Sequence, residues 1–179
     1  MDFAYNDEQK EIIKVVRDLV EKEIVPYAAE MDETGKLHEG LLEKLAAQGL
    51  LGVAIPEEFG GAGLDAITIA AIYEELGKGC AGVATTVAAN ALASYPVIIA
   101  GNDDQKKRYF DIINDDNLAA FALTEPGTGS DAGSVSTRAM KTEDGKGYIL
   151  NGTKCFITNG ALAEVFVVFA NTRKSGGIR

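Results

Sequence analysis

Little in this chain can hold a metal or a disulfide framework. Of its 179 residues two are cysteine, Cys80 and Cys155, and one is histidine, His38. The cysteines are far apart and outside any CxxC spacing, so a structural zinc site is not expected. Two reduced thiols are expected instead. A basic face is also missing. With 17 Lys and Arg against 27 Asp and Glu, the net charge is −10. That argues against wrapping nucleic acid or coating an anionic membrane. No apolar run reaches the ~20 residues of a membrane span before Gly, Pro or a charge interrupts it. The first residues, Met1-Asp2-Phe3-Ala4-Tyr5-Asn6-Asp7, lack the basic and apolar regions of a secretory signal. A cytoplasmic chain is the expectation, with the mitochondrial matrix ranked below it for want of a transit peptide. No Gly-Lys-Ser/Thr triplet occurs, which excludes a Walker loop.

What is present is a sizeable core, with 46% of residues hydrophobic. Asn6 and Gln9 have the spacing of a capping box, followed by Ile12, Val16, Leu19 (or Val20) and Ile24 at helical spacing. Pro26 predicts an end or a kink. A second helix is predicted over 40–48, stopped by Gly49. Residues 50–66, with "IPEEFGGAG" at 55–63, read as a glycine-rich loop. Helices are predicted again over 66–76, 81–100 (bent at Pro96) and, after the Asn102/Gln105 cap, to about Ile113.

After Asn117 the period changes to two. Strands are predicted over 118–123, around 135–139, over 148–158 as a hairpin turning at Asn151-Gly152, and over 164–170. "NTRKSGGIR" (171–179) reads as a polar turn. Helices first and strands second predict an α+β multidomain chain: an all-α helical domain over 1–116, then an antiparallel β domain over 117–179 that is cut short.

The stretch "FALTEPGTGSDAGSVS" (121–136) carries the chemical interest. Gly127-Thr128-Gly129-Ser130-Asp131-Ala132 formally matches a dinucleotide fingerprint. That motif must open a helix, and here the next residues alternate like a strand. Two readings remain: a strand-to-strand loop, or a loop that binds a polar ring or phosphate through hydroxyls and backbone N–H groups.

"ALTEPGTGSD" (122–131) resembles the signature of the acyl-CoA dehydrogenase family, and "NGTKCFITNG" (151–160) resembles that family's second flavin segment. "IPEEFGGAG" (55–63) and "GNDDQKKRYF" (101–110) resemble its helical-domain blocks, in the same order. The resemblance implies a helical domain, a middle β domain and a C-terminal helical domain, the last absent from this chain. It implies FAD, an acyl-CoA substrate, an electron-transferring flavoprotein as acceptor and a homotetramer. It places Phe121, Leu123 and Thr124 along the flavin, Gly129 and Ser130 on its phosphate side, and Phe156, Ile157 and Thr158 against the isoalloxazine. Ser130 also meets the acyl-CoA, and the helix over 83–100 floors the acyl pocket. The implied reaction removes an α-proton and transfers the β-hydride to the flavin N5, α,β-desaturating the thioester. Its base is a glutamate of the C-terminal domain, so no catalytic residue is expected in this chain, and the chain alone should be inactive. Glu125 is expected to hold its own loop. A non-catalytic binding or assembly module, an acyl-CoA oxidase and an enoyl-CoA reductase are the alternatives. His38 is expected at the surface, Cys155 packed in a strand, and Lys106-Lys107-Arg108 on a solvated helix face.

Overall fold

A computed structural model describes residues 4–172; the end of the polar turn predicted over 171–179 lies outside the described residues. The chain opens with α1 (Asp7–Leu19), started by the predicted capping box. The Gln9 N–H donates to Asn6 Oδ1 at 2.8 Å, and Gln9 Oε1 accepts the Asn6 N–H at 3.1 Å. The helical path does not stop at Pro26. It continues through a π-helical turn (Val20–Ile24) and a 3-10 turn (Val25–Tyr27) into α2 (Ala28–Thr34). Pro26 sits in the first turn of a new helical segment, where its missing N–H costs little. α2 ends at Gly35, whose φ of +65° suits glycine.

Then come α3 (Leu41–Ala47), α4 (Ala66–Gly79), α5 (Ala81–Ala100) and α6 (Asp103–Ile113), the last with its own Asn102/Gln105 capping box. Val20, Ile24, Leu45, Ile72, Leu76 and Val87 meet in the main core. α5 passes the length and composition test for a membrane span, with mean hydropathy 1.5. Its packing against α4 and β1 (Ala119–Ala122) accounts for that composition as a core helix. A second apolar cluster stacks Phe110 on Phe59, with ring centroids 4.7 Å apart, and fixes the 57–59 turn of the glycine-rich loop. The Asn114 side chain donates to the Phe59 carbonyl at 2.7 Å.

α1 and α4 are tied by an ion cluster. Arg17 donates twice to the buried Glu75 carboxylate, at 2.8 and 3.1 Å, and Lys78 donates at 2.8 Å. The Arg17 hydrogen bonds, against an opposing effect of burial, push Glu75 down to about 2 from an ordinary 4.5. A depressed carboxylate adds stability above its unfolded value, and loses it as pH falls through the folded one. Glu75→Gln is therefore expected to flatten the dependence of unfolding midpoint on pH between about 4.5 and 2. Thermal melts of both chains across that window check this; identical slopes would refute it.

The β region differs in detail from the expected antiparallel domain. β2 (Arg138–Lys141) and β3 (Tyr148–Asn151) form an antiparallel hairpin, with Arg138 opposite Asn151. β1 instead pairs in parallel with β4 (Val165–Val168), Ala119 opposite Val165. Asn151-Gly152 does not form the predicted hairpin turn, and neither residue has positive φ. The hairpin turns at 142–147, where Gly145 has φ +71°. Gly152 is needed for a different reason: a Cβ there would lie 2.7 Å from Thr137 Cα. Residues 153–158 leave the hairpin and run beside the end of β1, so Cys155 is not in a strand. His38 is not simply a surface residue either; its ring stacks on Tyr27, centroids 3.5 Å apart, and is partly buried.

Candidate functional site

β1 delivers Phe121, Leu123 and Thr124 to one end of the β region. Beyond it the chain makes a tight turn. The Glu125 and Thr128 backbones exchange two hydrogen bonds of 3.0 Å around Pro126-Gly127. A single 3-10 turn follows (Ala132–Ser134), not a helix, so the dinucleotide fingerprint has no helix to open.

Residues 153–158 lie against this end. The Cys155 N–H donates to the Thr124 carbonyl at 3.0 Å. Lys154 Nζ donates to the Leu123 carbonyl and to Glu125 Oε1, each at 2.8 Å. The structure thus brings the 121–124 and 156–158 groups together, although they are about thirty residues apart. Phe121 is partly buried and its ring contacts Phe169, centroids 4.9 Å apart. Gly129 and Ser130 lie exposed past the turn.

Glu125 is the centre of the scaffold. Its side chain is buried, with 4% relative exposure for the residue. It accepts from Lys154, from the Ser136 N–H and hydroxyl, and from the Thr137 N–H. Burial alone would raise its pKa; the Lys154, Ser136 and Thr137 hydrogen bonds outweigh it and hold Glu125 well below the usual carboxylate range. A carboxylate so occupied braces the loop and has no lone pair placed for a substrate proton, in keeping with the structural role expected for it.

Phe156 stands out for the opposite reason. It is 93% exposed, and its backbone lies in the left-handed region at φ +55°. A bulky residue rarely adopts that conformation, and doing so costs on the order of 1–3 kcal/mol. Nothing among the described residues repays the strain by burying the ring. Around it, the backbone N–H groups of Phe156, Ile157, Thr158, Gly129 and Ser130 donate to no acceptor among the described residues. The Ser130 and Thr158 hydroxyls are exposed as well. An aromatic plate beside unclaimed donors fits a planar ring with polar edges and an attached phosphate, and needs no basic residue. The residues present therefore fit a flavin dinucleotide.

Two residues that the sequence reading passed over matter here. Lys154 sits inside the second segment; its signal was a lysine set among Cys, Phe and Ile, where a charge must find a buried partner. Asn159 follows Thr158 and is buried; its signal was Asn before Gly, a pair suited to left-handed backbone, φ +62° in this case.

Comparison with known proteins follows the same lines. The family model "Acyl-CoA dehydrogenase, N-terminal domain" matches residues 6–114, and "Acyl-CoA dehydrogenase, middle domain" matches 120–179. A 3-(aryl)acrylate reductase of Clostridium sporogenes is 42% identical over 176 residues, covering 96% of this chain and 46% of that protein. The structure of butyryl-CoA dehydrogenase from Megasphaera elsdenii superposes with a TM-score of 0.88 at 38% identity, over 99% of this chain and 47% of that one. An acyl-CoA dehydrogenase complexed with FAD from Bacillus anthracis gives 0.84 at 39% identity, over 94% and 29%. The chain spans about half the length of the curated relatives it matches. With both family models matched in order along nearly its whole length, the chain belongs to the acyl-CoA dehydrogenase family.

Proposed function

We propose that this chain forms the helical and β part of a flavin-dependent acyl-CoA dehydrogenase. The observation that carries the reading is the exposed, left-handed Phe156 among unclaimed N–H groups and hydroxyls. Bound FAD would supply a hydride acceptor for the β-carbon of an acyl thioester. Phe121, Leu123 and Thr124 would line it, Phe156, Ile157 and Thr158 would face its ring system, and Gly129 and Ser130 would approach its phosphate side. Ser130 would also meet the acyl-CoA. These residues bind and orient; their donors stabilise negative charge without acting as acids, and the apolar side chains exclude water. The proton-abstracting base is assigned to the part of the relatives that this chain does not span. Electron-transferring flavoprotein as acceptor, a homotetramer and a domain division at 1–116 and 117–179 belong to the same proposal.

A second reading is favoured by one observation. The 42% identical relative is named as a 3-(aryl)acrylate reductase, and that name favours the enoyl-CoA reductase alternative.

Titration of FAD into the chain tests the cofactor assignment, followed by flavin absorbance and fluorescence. A weak but saturable spectral change is expected, with no bleaching on adding acyl-CoA. A flavin spectrum unchanged at every protein concentration would remove FAD from the site. Bleaching by acyl-CoA would show that the chain carries its own base and would overturn the assignment of that base elsewhere.

A further inference from the structure

The helical part and the β part meet at two buried asparagines. Both act on one residue, Ala119, which opens β1 and has no exposed surface. The Ala119 N–H donates to Asn90 Oδ1 at 2.7 Å, and its carbonyl accepts from Asn159 Nδ2 at 3.1 Å. The Asn159 amide also donates to the Thr86 carbonyl of α5 at 3.0 Å. One carboxamide therefore joins α5, β1 and the segment that carries Phe156, Ile157 and Thr158.

The backbone of Asn159 is equally committed. It is left-handed at φ +62°, and its carbonyl accepts the N–H groups of Leu162 and Ala163 at 2.9 and 2.8 Å. The Gly160 N–H closes the turn onto the Ile157 carbonyl at 2.9 Å. In contrast, the side chains of Phe156 and Thr158 are exposed. Among the described residues the segment is anchored on both sides: by the Cys155–Thr124 backbone bond and the Lys154 bonds before it, and by Asn159 after it.

We propose that Asn159 is a positioning residue: its carboxamide fixes the 156–158 segment against α5 and β1, setting the offset between the ring-binding face and the helix beneath it. The inference rests on the reading of 156–158 as the flavin-facing segment, and its test separates the two.

The chain contains no tryptophan. Phe156→Trp therefore installs a single fluorescent reporter on the segment itself. In that background Asn159→Gly keeps the left-handed backbone and removes both amide donors. Steady-state anisotropy of the tryptophan in the FAD-free chain is expected to fall roughly twofold, as the ring gains fast local motion. FAD affinity is expected to weaken by about tenfold or more through lost alignment.

Glu75→Gln, remote from the segment, serves as a control for general destabilisation and should leave the anisotropy and the FAD affinity near the parent values. Unchanged anisotropy in Asn159→Gly, or a fall no larger than that of Glu75→Gln, overturns the proposal. If the glycine variant does not fold, Asn159→Ser takes its place, with a side chain too short to reach both carbonyls. Should the unsubstituted chain fail to bind FAD, the flavin reading falls, while the anisotropy comparison still decides the role of Asn159.

Discussion

Replacing Lys154 by methionine is expected to destabilise the chain by about 3–5 kcal/mol, the usual cost of leaving a buried charge without its partner. The lysine stem and the methionine side chain are similar in length, so packing changes little. What changes is charge. Among the described residues Lys154 is the cation that pairs with the buried Glu125 carboxylate, at 2.8 Å, and it also satisfies the Leu123 carbonyl. Without it the Ser136 and Thr137 donors remain, but the negative charge loses its counterion.

The pH dependence identifies the cause. In the parent, Glu125 is depressed below its ordinary 4.5, so its stabilisation is complete above that value and fades as pH falls through the lower folded value. In the variant the carboxylate keeps its Ser136 and Thr137 donors but lacks its counterion, so it takes up a proton at a higher pH than in the parent. The gap between the two chains should therefore narrow in acid. Urea unfolding at pH 7 and at the lowest pH where both fold would measure it. An equal gap at both would mean that lost packing, not the orphaned carboxylate, is responsible. The double variant Lys154→Met/Glu125→Gln should recover part of the loss, since it removes the charge together with its partner.

This pair also shows where sequence reading reaches its limit. Both capping boxes were legible because their partners are three residues apart, and the Asn-x-x-Gln spacing carries the whole interaction. The switch from helices to strands after Asn117 was legible because it is a change of period. α2 lies beyond Pro26, which reads locally as an end or a kink; the path is irregular there, and burial of Ile24 and Met31 carries it on into α2. Asn151-Gly152 was read as a hairpin turn because the dipeptide fits one. Its glycine is instead required by close approach to Thr137, a contact fifteen positions away. The parallel β1–β4 pair joins segments more than forty residues apart, and no local pattern distinguishes it from an antiparallel one. The site divides the same way. Its two segments stood out through their motifs. The Lys154–Glu125 pair and the Asn159 bridge that hold them together are long-range hydrogen bonds, visible only once the chain is folded.

Phe156 allows a prediction in which stability and binding separate. Most substitutions at a core aromatic lower stability and impair the site together. Phe156 is 93% exposed and left-handed, so Phe156→Gly removes almost no packing and relieves backbone strain. Glycine gives back part of that gain through the entropy of its unfolded chain. The expected net effect is no loss of stability, and a gain of up to about 1 kcal/mol. FAD affinity should move the other way. Covering an exposed phenyl ring with a ligand is worth roughly 1.5–3 kcal/mol, or about a 10- to 100-fold loss when the ring is deleted. Thermal unfolding and flavin titration on the same two proteins give both numbers. A variant that melts lower would show that Phe156 is packed against the protein in solution. A variant that melts unchanged and binds FAD as the parent does would separate the ring from the flavin. Opposite signs in the two measurements are the mark of a residue whose strained conformation is kept for a ligand and not for the fold.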